Sequence, residues 1–293
     1  MTSFALTLSC ALLAFSPSLS LLFLFTYSKA QLVIVVTTSA FFQLLACLLS
    51  SLIHLPFRFM DTNSVYVIIP TSVVSQALFR GGFVKIYHKV ERVIEKSIQR
   101  HEIENRDETN NGSDQPEVVS EVSLLRLELN DVSSGLASGV GYGFMHTVML
   151  YGTLLASENN RIGTLYQESC AAIPSIFNSA LMAFMFGILD IVWMMLTFYG
   201  VRRLNGLGRM SEWSFEKGHV GGKAALAFVF ASHLAASFAT LPNQIFSSNG
   251  CYVALPVLAT ITVVTCSLAW VYCNDSYLPE GQKDRIRQVR HLD

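Results

Sequence analysis

The chain has 293 residues, of which 52% are hydrophobic and only 14% charged, with a net charge of -1 and a mean hydropathy of +0.44. A soluble domain carries about 25% charged residues, so the composition is that of a polytopic membrane protein. The net charge says nothing about nucleic acid, because the charges sit in a few loops; no basic stripe is seen to face a groove, so no nucleic-acid partner is expected.

The six cysteines form no Cys-x-x-Cys pair and no metal-like spacing, so neither a disulfide framework nor a metal site is indicated, and no cofactor is implied. Cys170 and Cys251 fall near the same predicted face, which leaves a disulfide between them open.

In chain order, apolar stretches of membrane-spanning length cover residues 4–26, 31–54, 64–84, 133–156, 176–199, 220–241 and 251–273. The expected fold is all-α, a single membrane domain of seven transmembrane helices. The first stretch lacks a charged leader and a small-x-small cleavage site, so it reads as a retained span. Pro17, Pro70 and Pro256 lie inside spans and are expected to kink or locally unwind them.

Orientation follows from lysine and arginine. The third loop holds Lys85, Lys89, Arg92, Lys96, Arg100, Arg106 and Arg126, and the fifth holds Arg202, Arg203, Arg209 and Lys217. The tail adds Lys283, Arg285, Arg287 and Arg290, whereas the opposite side carries Arg58 and Arg161. The N-terminus is therefore expected outside and the C-terminus in the cytosol, with residues 85–132 a cytosolic loop and 274–293 a cytosolic tail. The sequons at Asn111 and Asn274 then face the cytosol and stay unused. Arg80 and Lys223 lie near cytosolic span ends, where they are expected to snorkel.

Within the third loop, Val84, Tyr87, Val90, Ile94 and Ile98 keep helical spacing, so the third span is expected to continue as an amphipathic helix. Residues 107–117 read as disordered and 118–129 as a short juxtamembrane helix.

The fourth span contains Gly135, Gly139 and Gly143, every fourth residue, which places three glycines on one helical face. Such a face weakens a helix in water. In a membrane, helices associate by close backbone approach and small-xxx-small faces promote it, so this face is expected to be a packing ridge.

Ionisable residues at membrane depth are costly and mark candidate sites. Asp190 and His233 each fall within about 5 Å of the bilayer centre at 1.5 Å per residue. Facing one another they would satisfy each other and hold spans five and six in register; the alternative is two unrelated polar residues, each beside a small cavity. His146 reads as a packing or hydrogen-bonding residue. Catalytic sets are incomplete. An aspartyl protease needs two carboxylates, and only one lies at depth. A rhomboid-type pair would match His233 with Ser134 or Ser138, but both serines fall near the cytosolic end of their span. His-Glu-x-x-His is absent. An intramembrane hydrolase or small-solute transporter using Asp190 and His233 stands as the rival reading, although no inverted repeat is visible.

Taken together, Ala14-Phe15-Ser16-Pro17, Ala40-Phe41-Phe42, Leu78-Phe79-Arg80, Ser138-Gly139 leading to Gly143, Phe177-Asn178-Ser179-Ala180, Ser232-His233-Leu234 and Leu255-Pro256 resemble, in order and spacing, the anterior-pharynx-defective (Aph) subunit of γ-secretase. That family continues its ridge with a glycine where this chain has Thr147, and Gly135 is an upstream extension. It pairs two intramembrane histidines; His233 matches the second, and Asp190 occupies the place of the first. The resemblance implies a non-catalytic subunit that assembles with presenilin, nicastrin and the presenilin-enhancer subunit in the endoplasmic reticulum, Golgi and plasma membrane, supporting cleavage of single-pass proteins such as Notch. It further suggests a presenilin or nicastrin helix as the outside partner of the glycine ridge.

Overall fold

A computed structural model describes residues 4–56, 65–109, 131–158, 166–167, 169–205, 213, 215–216, 219–245 and 249–273. Seven long helices are present among these residues: α1 (Phe4–Leu21), α2 (Ala30–His54), α3 (Val65–Thr109), α4 (Asp131–Thr147), α5 (Ser175–Asn205), α6 (Gly222–Ala239) and α7 (Gly250–Cys273). The all-α polytopic fold follows from these helices. Six of them are long and apolar enough to cross a membrane. The exception is α4, whose 17 residues run into a π-helical turn at Val148–Gly152 and a last helical turn at Thr153–Glu158.

The fold is built around α5. Its sequence is apolar on every side apart from a few polar positions, the pattern of a helix surrounded by protein. Of its most apolar stretch 67% is buried, against 17% for the first span, 28% for α2 and α7, and 33% for α3. Three buried clusters share it. Met185, Leu189, Trp193 and Leu196 meet Val229 and Ala236 of α6 and Leu258 of α7. Met194, Phe198 and Val201 meet Leu32 and Val35 of α2, Phe83 and Val84 of α3, and Ala137 and Tyr142 of α4. Ile176, Ala180 and Ala183 meet Cys10 and Ala14 of α1. The outer helices instead present large apolar side chains outward, among them Leu8, Leu12 and Phe23 in the first span and Val263, Val264 and Trp270 in α7, which in a membrane costs nothing because lipid is as apolar as they are.

Pro70 and Pro256 lie inside continuous helices, so of the kink or unwinding expected there, unwinding does not occur. The carbonyls they free, on Tyr66 and Tyr252, lie in the first helical turn, close to the polar interface. The third span continues as the expected helix beyond residue 84, and it runs to Thr109, so the disorder read from residue 107 is overturned for residues 107–109. Two antiparallel hairpins interrupt the helical pattern: β1 (Tyr166–Gln167) with β2 (Cys170–Pro174), and β3 (Phe215–Glu216) with β4 (His219–Val220). The helix read at 118–129, the sequons at Asn111 and Asn274, Arg58, Arg161 and the tail 274–293 all lie outside the described residues.

Cys170 and Cys251 form a disulfide with a Cα–Cα distance of 5.4 Å across 81 residues of sequence. It joins the segment leading into α5 to the start of α7. Ser169 Oγ donates to the Asn243 carbonyl at 2.6 Å in the same knot, and Asn249, with φ of 64°, makes the tight turn into α7.

Candidate functional site

The glycine face of α4 lies on α5 with almost no clearance. A Cβ at Gly139 would stand 2.6 Å from Ile191 Cα, one at Gly143 2.9 Å from the Gly187 carbonyl oxygen, and one at Gly135 3.3 Å from Met195 Cα. Contacts step by four along both helices in opposite directions, the register of two antiparallel helices meeting along small-residue rows. Thr147, buried, continues the row: its Oγ1 lies 3.6 Å from where a Cβ of Gly187 would be. The partner of this face is therefore α5 of the same chain, not a helix of another subunit. The physical reason is reciprocity, since α5 places its own glycine, Gly187, at the crossing.

A second bare face of α4 escaped the sequence reading. A Cβ at Gly141 would collide with Ser39 Oγ and the Val36 carbonyl of α2, and Ala137, one turn earlier, is buried in the same cluster as Leu32 and Val35. The signal was Ala137-xxx-Gly141, a small-xxx-small pair rotated from the glycine row. With both faces bare, α4 is held between α2 and α5 at backbone distance.

This close approach brings three charged or polar side chains together. Asp190 of α5 accepts from Arg80 Nη2 of α3 at 2.7 Å on Oδ1, and its Oδ2 lies 2.6 Å from His146 Nδ1 of α4. Asp190 is 0% exposed and Arg80 1%. Among the described residues, Arg80 Nε and Nη1 have no hydrogen-bond acceptor. The guanidinium carbon instead lies 5.3 Å from the Tyr142 ring centroid and 5.4 Å from that of Trp193, within cation–π range on two sides. Trp193 Nε1 donates to Ser232 Oγ of α6 at 2.8 Å, so the network crosses α3, α4, α5 and α6.

Arg80 corrects the snorkelling expectation, for it turns inward. A guanidinium near hydrocarbon gains more from a buried carboxylate than from reaching for the interface, provided the pair is close and oriented. His233 does not hydrogen-bond Asp190. Its ring stacks on Trp193, with centroids 4.3 Å apart, and its Nδ1 has no hydrogen-bond partner among the described residues. Arg80 and His146 engage the two carboxylate oxygens in its place. Arg80 was legible in retrospect: it and Lys223 are the cations in the spans, opposite a single anion.

The chemistry open to this arrangement is that of a closed ion-paired junction. Both oxygens of Asp190 are engaged. Ser138 Oγ donates to the Ser134 carbonyl at 2.6 Å, and Ser134 Oγ shares a hydrogen bond with Tyr87 OH at 2.5 Å, so neither serine is paired with His233. Among the described residues, no three histidine, cysteine or acidic side chains gather as metal ligands.

The model of the Aph-1 protein family matches residues 5–276. A curated relative from Arabidopsis thaliana, called gamma-secretase subunit APH1-like, is 28% identical over 268 residues, spanning 89% of this chain and 91% of the relative. The match runs through every helix that carries the glycine rows and the Arg80–Asp190–His146 junction, and on that extent the chain belongs to the Aph-1 family.

Proposed function

We propose that the protein is a non-catalytic scaffold subunit that stabilises and assembles a γ-secretase complex, supporting presenilin cleavage of single-pass membrane proteins such as Notch. The observation that carries this reading is the family match over residues 5–276, with a relative called a gamma-secretase subunit. The use of the buried polar groups supports it: Arg80, Asp190, His146, Trp193 and Ser232 bind helix to helix. Presenilin, nicastrin and the presenilin-enhancer subunit are the proposed partners. They meet the outer apolar surfaces, since the glycine row is occupied from within.

The same proposal includes one seven-helix membrane domain with its N-terminus outside, resident in the endoplasmic reticulum, Golgi and plasma membrane. The Cys170–Cys251 bridge supports this orientation, because disulfides persist in oxidising compartments and this one lies at the end of α5 opposite Arg202 and Arg203. A mild-detergent pull-down of the full chain with mass spectrometry tests the proposal. Recovery of the three partners in constant ratio is expected. Recovery of the chain alone, with hydrolase or transport activity from the purified chain in liposomes, would overturn it.

A further inference from the structure

Beyond the membrane core α3 carries five cations on one face. Lys85, Lys89, Arg92, Lys96 and Arg100 are all exposed, and at 100° per residue they fall within an arc of about 80°. The sector beside them is apolar and exposed: Ile86, Val90, Val93 and Ile94 all lie there. The remaining sector is taken up by the bundle. Val84 and His88 are buried, Tyr87 lies on Phe198 with ring centroids 5.2 Å apart, and Glu91 accepts twice from Arg202 Nη2, at 2.9 and 2.7 Å. These contacts fix the helix rotation, so the cations and the apolar sector are held outward together.

Depth follows from length. Val65–Ile94 of α3 has 30 residues, which rise about 45 Å, the thickness of hydrocarbon plus both headgroup layers. Lys89 and Arg92 therefore stand at headgroup level, and Lys85, about 7 Å below it, reaches the headgroups by snorkelling. Lys96 and Arg100 follow within about a Debye length of the surface.

We propose that this face of α3 is a binding surface for anionic phospholipid headgroups of the cytosolic leaflet, with the cations on the phosphates, Ile86 and Val90 at the acyl boundary, and Val93 and Ile94 among the headgroups. A cation stripe alone would suit any polyanion. The exposed apolar sector alongside it, on a helix leaving the membrane, is what selects lipid. The leaflet rests on the proposed orientation, whereas the lipid preference does not.

The test uses the full chain in phosphatidylcholine vesicles and electron spin resonance of spin-labelled phosphatidylserine against spin-labelled phosphatidylcholine. Phosphatidylserine should be favoured at the protein surface by about fivefold, an advantage that falls with added salt. K85Q/K89Q/R92Q/K96Q/R100Q should bring the ratio to near one. A charge-retaining exchange, K85R/K89R/R92K/K96R/R100K, should keep it, as should K223Q, and both show that lost preference is not lost folding. No preference in the unaltered chain, or a preference that survives the five glutamines, overturns the proposal. Displacement by inorganic phosphate at matched ionic strength would assign the face to free phosphate, and capture of soluble polyglutamate with no lipid preference would assign it to an acidic protein; either result overturns the lipid assignment.

Discussion

Two arginine–carboxylate contacts join α3 to α5, and they differ in nearly everything except chemistry. Arg80–Asp190 and Arg202–Glu91 both have a closest approach of 2.7 Å, and they lie about 17 Å apart along the helices. The first is enclosed, with side-chain exposures of 1% and 0%. The second sits at the rim, at 41% and 31%. Water and salt screen the rim pair, so its contribution falls in the range of 0–1 kcal/mol typical of exposed pairs. The enclosed pair has had both partners desolvated, and much of its importance lies in what one charge would cost without the other.

The largest break in this contrast should come from Gly139→Leu. The side chain has no room against Ile191 Cα, so it must part α4 from α5 and draw His146 away from Asp190 while leaving the rim pair in place. The expected loss exceeds about 4 kcal/mol, the range reserved for major core damage, and it reads out as aggregation or early thermal unfolding of the detergent-solubilised chain. A melting curve close to the unaltered protein would show that the interface is looser than its distances indicate.

Removing one enclosed partner comes next. Asp190→Ala leaves Arg80 buried without its carboxylate and should cost about 3–5 kcal/mol, measured by the same thermal unfolding. Replacing both, as R80M/D190L, should cost less than the two single losses combined. Strictly additive losses would show that the pair is not coupled. A cycle on Asp190 and His146 should give a larger coupling energy than one on Asp190 and His233, because only the first pair is hydrogen-bonded; the reverse order would restore the direct Asp190–His233 pairing. Smallest of all, Glu91→Gln should shift stability by at most about 1 kcal/mol and by less in high salt. A loss as large as that of Asp190→Ala would mean the rim is drier than its exposure suggests.

Much of the bundle was readable because its signal is composition. Long apolar runs, whose backbones must bond internally in lipid, form helices wherever they occur, so the all-α polytopic fold required no tertiary information. The three glycines of α4 were equally plain, as an absence of side chains repeated every fourth residue. What covers them was not, because nothing in a glycine row distinguishes a helix of the same chain from a helix of another. Only the facing residues, Gly187, Ile191 and Met195, decide that.

The polar cluster divides the same way. That a lone aspartate at membrane depth needs partners is an argument from charge alone. Depth by itself matched Asp190 with His233, for two residues at equal height look like neighbours until rotation about each helix is known. Helix rotation turned His233 onto Trp193 and brought Arg80 and His146 to the carboxylate. The sequence by itself determined that this chain is a bundle of membrane helices, where small residues permit close packing, and that Asp190 requires compensation, because these follow from each segment's own solvation. Only the tertiary structure decided which helices meet, which cation answers Asp190, and that Cys170 bridges to Cys251, because those depend on relative rotation and register between segments far apart in the chain.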